Sequence, residues 1–286
     1  MYLTRIFLLA IGKINRILCK NRKQKFQDGI NSREDFVSFA IESASRNSGD
    51  MKILEIGPYM SPLTRGLKVD TFDVLTHEQL IQRAISGGGP SHLIPEVTWV
   101  GPAASPEYIH STYDLILSSH VVEHQIDLIA HFQNIESLLN KGGLYAAMIP
   151  DHRYCFDYFN LPSTITDVIM AHLVKDSNHS LKSFLDDRLT TGHNETLKYW
   201  KNDIGSPKIL VKSFSEIIND FNEYKGLVAT GQYVDVHAWK FTDESFLDIF
   251  EQITRLTLVN LEILEIHPAK FGNNEFWVLF QKRIRS

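Results

Sequence analysis

The stretch 52–62, KILEIGPYMSP, constrains the fold more than any other part of the chain. Residues 53–56 are apolar except for Glu55 and have the length of a short buried strand, and the Gly57-Pro58 pair that follows is a turn signal. Glycine lets a ligand approach the backbone closely, and the Glu55 carboxylate can reach into the same crevice at the carboxyl end of the strand. We therefore expect a small molecule to bind at this strand end, and a helix to begin near Ser61.

Strand and helix patterns alternate along the chain. Helices are predicted over residues 35–46 and 128–139, the second capped by Lys141-Gly142-Gly143. The predicted strands are residues 53–56, 69–74, 96–100, 115–118 and 144–150, followed by a terminal antiparallel hairpin of residues 258–266 and 276–280. This alternation predicts an α/β fold with a doubly wound, mostly parallel, seven-stranded sheet.

Asp73 falls at or near the carboxyl end of the second predicted strand. It follows Gly57 by 16 residues, close to the interval of about 20 residues at which α/β nucleotide-binding folds position an acid on a ribose hydroxyl. A lone aspartate can also serve as a helix cap or turn residue. The pairing with Gly57 at this spacing favours the ligand-binding role.

The sequence divides into four segments. Residues 1–30 are predicted to form a basic amphipathic helix, 31–150 a cofactor-binding α/β half, 151–241 an inserted substrate cap, and 242–286 a final helix with the hairpin that completes the sheet. The cap is inferred because about 90 residues exceed an ordinary connection between elements. Its aromatic residues would form a small core of their own and could line a substrate pocket.

Residues 1–25 differ in charge from the rest of the chain, with seven Lys or Arg residues and no acid. Their apolar residues recur at helical spacing, but the apolar run 6–11 is too short to span a bilayer and no signal-peptide cleavage site follows it. Two interpretations stay open. The helix could lie on an anionic membrane surface, or it could pack its apolar stripe on the domain that follows.

Composition excludes several classes of protein. A hydrophobic content of 43% supports a real core, and a net charge of -5 gives no general attraction to nucleic acid. Cys19 and Cys155 lie far apart, so neither a disulfide framework nor a structural zinc site is indicated. We expect a cytoplasmic protein, with membrane association through residues 1–25 as the open alternative.

Taken together, these motifs resemble a known family. The sequences at 55–58 (EIGP), 113–124 (YDLILSSHVVEH) and 138–143 (LLNKGG), together with Asp73, are similar to those of class I S-adenosylmethionine-dependent methyltransferases. Residues 149–157 and 235–239 are similar to a bacterial subset associated with surface-glycan or glycosyltransferase loci. The resemblance covers about residues 50–282 and implies a Rossmann-like fold, S-adenosylmethionine as cofactor, and O-methylation of a sugar or surface-glycan intermediate.

The resemblance also implies which residues bind the cofactor. Gly57 would sit against its methionine part, Glu55 would reach its amino group, and Asp73 would bind its ribose hydroxyls. The full implied set is Glu55, Gly57, Pro58, Asp73, Ser118, Ser119 and His120, the last three largely through backbone contacts.

Three positions depart from the family pattern. Tyr59 and Ser61 stand where the later glycines of the family motif would be. Gly101 stands where related chains often have an acid that meets the adenine amine.

Methylation of a hydroxyl requires a base, and histidine is the side chain best matched to neutral pH. The catalytic candidates are Asp151, His152 and His237; Asp151 and His152 directly follow the fifth predicted strand, whose carboxyl end faces the crevice. His120 and His124 have the i, i+4 spacing of a metal-binding pair. The sequence offers no third ligand, and no metal is predicted.

Two other functions are weighed against this one. A methyltransferase-like protein that has lost catalysis could serve as a binding or assembly partner in glycan synthesis. An NAD-linked oxidoreductase could use the same sheet, but Gly57-Pro58 lacks the GxGxxG spacing that a dinucleotide requires.

Overall fold

A computed structural model describes residues 29–46 and 51–284. Residues 1–28, which hold nearly all of the predicted N-terminal helix, and the loop 47–50 lie outside the described residues. The strands are β1 (Ile53–Ile56), β2 (Asp70–Asp73), β3 (Trp99–Val100), β4 (Tyr113–Ser119), β5 (Leu139–Pro150), β6 (Leu261–His267) and β7 (Glu275–Lys282). The helices are α1 (Arg33–Ser45), α2 (His77–Ser86), α3 (Leu128–Leu138), α4 (Ile165–Val174), α5 (Leu181–Leu189), α6 (Thr196–Trp200), α7 (Phe214–Ala229) and α8 (Asp243–Arg255).

The strands form one seven-stranded sheet in the order β3-β2-β1-β4-β5-β7-β6. Every neighbouring pair is parallel except the two that involve β7. The predicted doubly wound, mostly parallel sheet and its antiparallel terminal hairpin are therefore confirmed. The strand order reverses between β1 and β4. Open α/β sheets bind ligands at the carboxyl ends of the strands beside such a reversal.

Apolar side chains cover both faces of the sheet. On one face, the rings of Phe132, Phe250 and Phe280 from α3, α8 and β7 pack with centroids 4.9 to 5.5 Å apart. On the other, Phe36 of α1 stacks on Trp277 of β7 at 5.6 Å. These contacts hold α1 against one face of the sheet and α3 and α8 against the other.

Three local predictions are corrected. No helix begins near Ser61; residues 57–66 form turns, and the left-handed backbone of Gly66 (φ of +80°) is incompatible with a helix that continues from Ser61. β3 is only two residues long, shorter than the predicted 96–100. Residues 141–143 do not cap α3 but lie inside β5, since the chain becomes extended at Leu139 and pairs there with Tyr113.

Residues 151–241 lie between β5 and α8 and are largely helical. Its helices are α4, α5, α6 and α7. The role of this segment as a substrate cap stays a prediction. Among the described helices, none has both the length and the apolar character needed to cross a membrane.

Candidate active site

The turn after β1 requires glycine at position 57. Gly57 has a φ of +66°, and its N–H donates to the carbonyl of Phe72 at 2.9 Å. A Cβ at this position would lie 2.8 Å from Cγ2 of Val121, in the turn after β4. The turns after β1 and β4 are thus in contact, and a side chain at position 57 would force them apart.

Glu55, in β1, stabilises this turn through hydrogen bonds to its backbone. Its buried carboxylate accepts hydrogen bonds from the backbone N–H groups of Leu63 (2.6 Å) and Thr64 (3.1 Å) and from the Thr64 hydroxyl. Burial raises the pKa of Glu55, although these hydrogen bonds oppose the shift. Pro58 is buried in the same turn. Direct contact of Glu55 with a ligand stays a prediction.

Asp73 lies beside this turn, because β2 pairs with β1 in a register that joins Ile56 to Phe72. The side chain is mostly buried, and Oδ1 accepts from the N–H of Leu75 at 3.1 Å. Burial raises the pKa of Asp73, while the backbone hydrogen bonds and the charge of Arg83 act in the opposite direction. A carboxylate held by backbone donors keeps lone pairs that can accept from two hydroxyls, which fits a ribose diol.

The predicted cofactor-binding residues at the end of β4 and directly after it have different surroundings. The Ser118 hydroxyl is buried 2.7 Å from that of Tyr145, so it is used within the core, whereas Ser119 is half-buried. His120 has a φ of +54°, an uncommon conformation for a residue other than glycine. Its Nε2 lies 3.0 Å from Oε2 of Glu275, the first residue of β7.

A histidine cluster follows directly; we define it as His120, Glu123, His124 and His237. Glu123 is fully buried, and its Oε1 lies 3.4 Å from Nδ1 of His120 and 3.8 Å from Nε2 of both His124 and His237. The backbone carbonyl of Glu123 accepts from the N–H of Ala238 at 2.8 Å. This bond attaches the distant segment that carries His237 to the turn after β4.

Each imidazole of the cluster has a second carboxylate on its other side. His237 donates from Nδ1 to Oδ2 of Asp157 at 2.5 Å, and Nδ1 of His124 lies 3.1 Å from Oδ1 of Asp235. Burial opposes ionisation of Asp157, but the hydrogen bond from His237 lowers its pKa. Burial likewise opposes protonation of His124, yet the contact with Asp235 and the charge of Glu123 raise its pKa.

The two adjacent catalytic candidates have contrasting environments. Both oxygens of buried Asp151 are bound by the guanidinium of Arg153, at 2.9 Å and 2.5 Å, and Arg153 also binds Asp243. His152 is mostly buried, and its Nδ1 has no hydrogen-bond partner among the described residues. Burial lowers the pKa of His152, although the charge of Asp151 opposes this, so its imidazole is neutral at pH 7. The catalytic roles of both residues stay predictions.

Sequence reasoning found the imidazoles but missed the carboxylates that hold them. Glu123 lies within residues 113–124, which resemble the methyltransferase family, but no role was predicted for it. Asp235 and Asp157 had no signal beyond short stretches shared with related chains. The sequence does contain a signal for Glu275. It is the one charged residue at the start of the otherwise apolar strand EFWVLF, and it is buried there.

The chain was compared with known proteins. No protein-family model matches the sequence, and no curated protein is significantly similar to it. Among solved structures, it is similar to an S-adenosylmethionine-dependent methyltransferase from Clostridium acetobutylicum, with 12% identity over 95% of this chain and 100% of that chain and a TM-score of 0.45. The CcbJ methyltransferase from Streptomyces caelestis (13% identity, 90% and 99% coverage, TM-score 0.42) and an S-adenosylmethionine-dependent methyltransferase from Mesorhizobium loti (13%, 88% and 98%, 0.40) are also similar. At these identities and TM-scores, the comparisons assign neither substrate nor activity to this chain.

Proposed function

We propose that the protein is an S-adenosylmethionine-dependent methyltransferase that methylates a hydroxyl group on a sugar or surface-glycan intermediate. The observation that carries the proposal is the pair formed by Asp73 and the Gly57 turn, at the adjacent ends of β2 and β1 and beside the reversal of strand order between β1 and β4. The sequence motifs at 113–124 and 138–143 support the same family.

The proposed cofactor fits the residues at this edge. Asp73 would hold the two ribose hydroxyls, and the backbone at Gly57, with Pro58, would face the methionine part. When bound, S-adenosylmethionine supplies an electrophilic methyl group. The protein's own task is then to hold an acceptor hydroxyl in line with that group, exclude water and take up a proton.

Two imidazoles are suited to take up that proton. Burial lowers the pKa of His152 and so favours its neutral imidazole, and its buried Nδ1 has no hydrogen-bond partner among the described residues. His237 donates from Nδ1 to Asp157, which leaves Nε2 as an acceptor, as in the histidine–carboxylate pairs that activate hydroxyl nucleophiles. Asp151 is a weaker base candidate, because Arg153 already binds its carboxylate.

Isothermal titration with S-adenosylmethionine and S-adenosylhomocysteine tests the cofactor directly. Charge-assisted hydrogen bonds contribute about 1.5–3 kcal/mol, so Asp73→Asn should weaken binding about 10- to 100-fold. The exposed helical residue Asp248 provides a matched control, and Asp248→Asn should leave the affinity unchanged. Failure of the wild-type protein to bind either compound would contradict the proposal.

A second candidate is a related protein that binds the cofactor or a glycan intermediate without catalysis, as an assembly partner. The observation that favours it is Tyr59, which stands where the family has a glycine. Tyr59 has a φ of +34°, in the left-handed region that favours glycine. Labelled S-adenosylmethionine, offered with a panel of sugars and sugar nucleotides, separates the two candidates. Methyl transfer that Asp73→Asn abolishes supports the enzyme; cofactor binding without transfer, and cellular function that survives Asp73→Asn, support the assembly partner.

We also propose that residues 1–25 attach this otherwise cytoplasmic enzyme to anionic membranes. The support is their composition, seven basic residues without an acid, with apolar residues at helical spacing. Full-length protein should sediment with phosphatidylglycerol vesicles, and a variant that lacks residues 1–25 should remain in the supernatant. Equal behaviour of the two proteins would contradict this attachment.

A further inference from the structure

Glu123 presents an electrostatic problem that its described neighbours do not solve by hydrogen bonding. Its side chain is 0% exposed, and neither carboxylate oxygen has a hydrogen-bond donor among the described residues. A buried ionised carboxylate without partners is strongly unfavourable. The groups that face it are three imidazole nitrogens at 3.4 to 3.8 Å, which is beyond normal hydrogen-bond distance.

These distances are close to those between ligands that share one metal ion. Two ligand atoms about 2.1 Å from a metal lie roughly 3.0–3.4 Å apart, depending on the coordination angle. Oε1 of Glu123 lies 3.8 Å from Nε2 of His124 and of His237, and one ligand atom from each residue falls within 4.8 Å of the others. Side-chain shifts of up to about an ångström would bring the three ligand atoms to the separations that one metal ion requires.

The outer contacts of the two histidines have the pattern of metal ligands. A coordinating histidine generally uses its other ring nitrogen on a carboxylate or carbonyl, which fixes the ring orientation and its tautomer. His237 does this with Asp157 at 2.5 Å, and His124 faces Asp235 at 3.1 Å. In both residues, the nitrogen that remains is the one directed at Glu123.

We propose that Glu123, His124 and His237 bind a divalent first-row transition metal ion such as Zn²⁺. Two imidazoles and a carboxylate suit zinc, cobalt or iron better than magnesium or calcium, which prefer oxygen ligands. Three protein ligands leave at least one position open, as in catalytic rather than structural sites. His120, whose Nδ1 also faces Glu123, lies beside the ion.

The role of this ion rests on the proposed function. A hydroxyl bound at the open position loses its proton more readily and is fixed in orientation. With His237 engaged as a ligand, His152 is the imidazole left to accept that proton. The acceptor class is then an alcohol, such as a sugar hydroxyl, that can enter the coordination sphere.

Metal binding can be measured without any methyl transfer. Full-length protein is treated with a chelator, dialysed and titrated with Zn²⁺ by calorimetry and with Co²⁺ by visible absorption. We expect one ion per chain and a Co²⁺ spectrum of low coordination number. Glu123→Gln and His237→Gln should each weaken binding more than about 100-fold, and Asp157→Asn about 10- to 100-fold through the orientation of His237.

The control is His110→Gln, which removes an exposed histidine outside the cluster and should leave the affinity unchanged. Circular dichroism verifies that each variant is folded; if Glu123→Gln unfolds, Asp157→Asn and His237→Gln carry the test. No binding of either ion by the wild-type protein, or equal affinity in the folded cluster variants, would overturn the site. Asp73→Asn should leave Zn²⁺ affinity intact, so metal binding together with failure to bind S-adenosylmethionine would overturn the proposed function but not the metal site.

Discussion

Glu55 and Glu275 are both about 1% exposed, yet the protein stabilises them in opposite ways. Glu55 accepts from neutral donors on Leu63 and Thr64, which lie 8 and 9 residues further along the chain. Glu275 accepts from the Arg33 guanidinium, 242 residues away, and faces His120, 155 residues away. The first carboxylate belongs to the turn after β1, and the second to the surroundings of the histidine cluster.

The difference appears in the pKa values. Burial raises the pKa of Glu55, because neutral donors only partly offset the loss of solvent. Burial acts in the same direction on Glu275, but the hydrogen bonds from His120 and Arg33 outweigh it and lower the pKa of Glu275 to about 2. The turn after β1 is therefore a locally built backbone site, whereas the histidine cluster depends on charges that meet only in the complete fold.

The largest expected effect is that of Glu275→Gln. This variant removes the buried charge that Arg33 and His120 share, and breaking such a pair costs roughly 3 kcal/mol of unfolding free energy at pH 7. Urea denaturation measures the loss. The matched control is Glu42→Gln, which breaks the exposed ion pair between Glu42 and Arg46 and should change stability by less than about 0.5 kcal/mol. Equal effects of the two substitutions would mean that the Arg33–Glu275 pair contributes nothing beyond a surface pair.

Gly57→Ala tests the turn after β1. Alanine is strained in the left-handed backbone of position 57, and its Cβ would lie 2.8 Å from Val121. We therefore expect the free energy of unfolding to fall by about 2–3 kcal/mol and cofactor binding to weaken. Gly66→Ala is the control, because Gly66 has a φ of +80° but nothing within 4 Å of the added atom. Gly66→Ala should lower the free energy of unfolding by only about 1 kcal/mol. If the two variants lose the same amount, the contact between the turns after β1 and β4 is not tight.

The dependence of stability on pH should have opposite signs for the two carboxylates. The pKa of Glu275 is lower in the folded protein than its ordinary 4.5, so its contribution is present above about pH 4.5 and is lost as the pH falls towards 2. The pKa of Glu55 is raised on folding, so its contribution is fully present below about pH 4.5 and is lost as the pH rises through the folded value.

Unfolding free energies of wild type, Glu275→Gln and Glu55→Gln between pH 3 and pH 6 check this prediction. As the pH falls, the unfolding free energies of wild type and Glu275→Gln should approach each other. Over the same range, the unfolding free energy of wild type should rise relative to that of Glu55→Gln. Each slope is at most about 1.4 kcal/mol per pH unit, the limit for one proton. Slopes of the same sign would refute the contrast between the two sites.

This contrast also explains how much the sequence could predict. Strand positions and the residues after each strand follow from local patterns, and for that reason β1, β2 and the positions of Gly57 and Asp73 were found. The histidine cluster joins the turn after β4 to residues 157 and 235–237, and Glu275 joins it to α1; no local pattern encodes those pairings. The helix expected near Ser61 is replaced by turns, whose Leu63 and Thr64 N–H groups bind the buried Glu55 carboxylate.

The smallest effect concerns Ser118, which the family resemblance places along the cofactor and whose hydroxyl is buried beside Tyr145. Ser118→Ala removes a hydrogen bond of 2.7 Å, but the Tyr145 hydroxyl keeps its contact with Nε2 of His131 at 3.2 Å. We therefore expect a loss of only about 1 kcal/mol of stability and no change in affinity for S-adenosylmethionine, because any cofactor contact here would come from the backbone. The half-buried neighbour gives the control, since Ser119→Ala should change stability by less than about 0.5 kcal/mol. A tenfold loss of affinity in Ser118→Ala with unchanged stability would show that this hydroxyl faces the ligand, and would extend the locally encoded site from β1 and β2 to the side chains of β4.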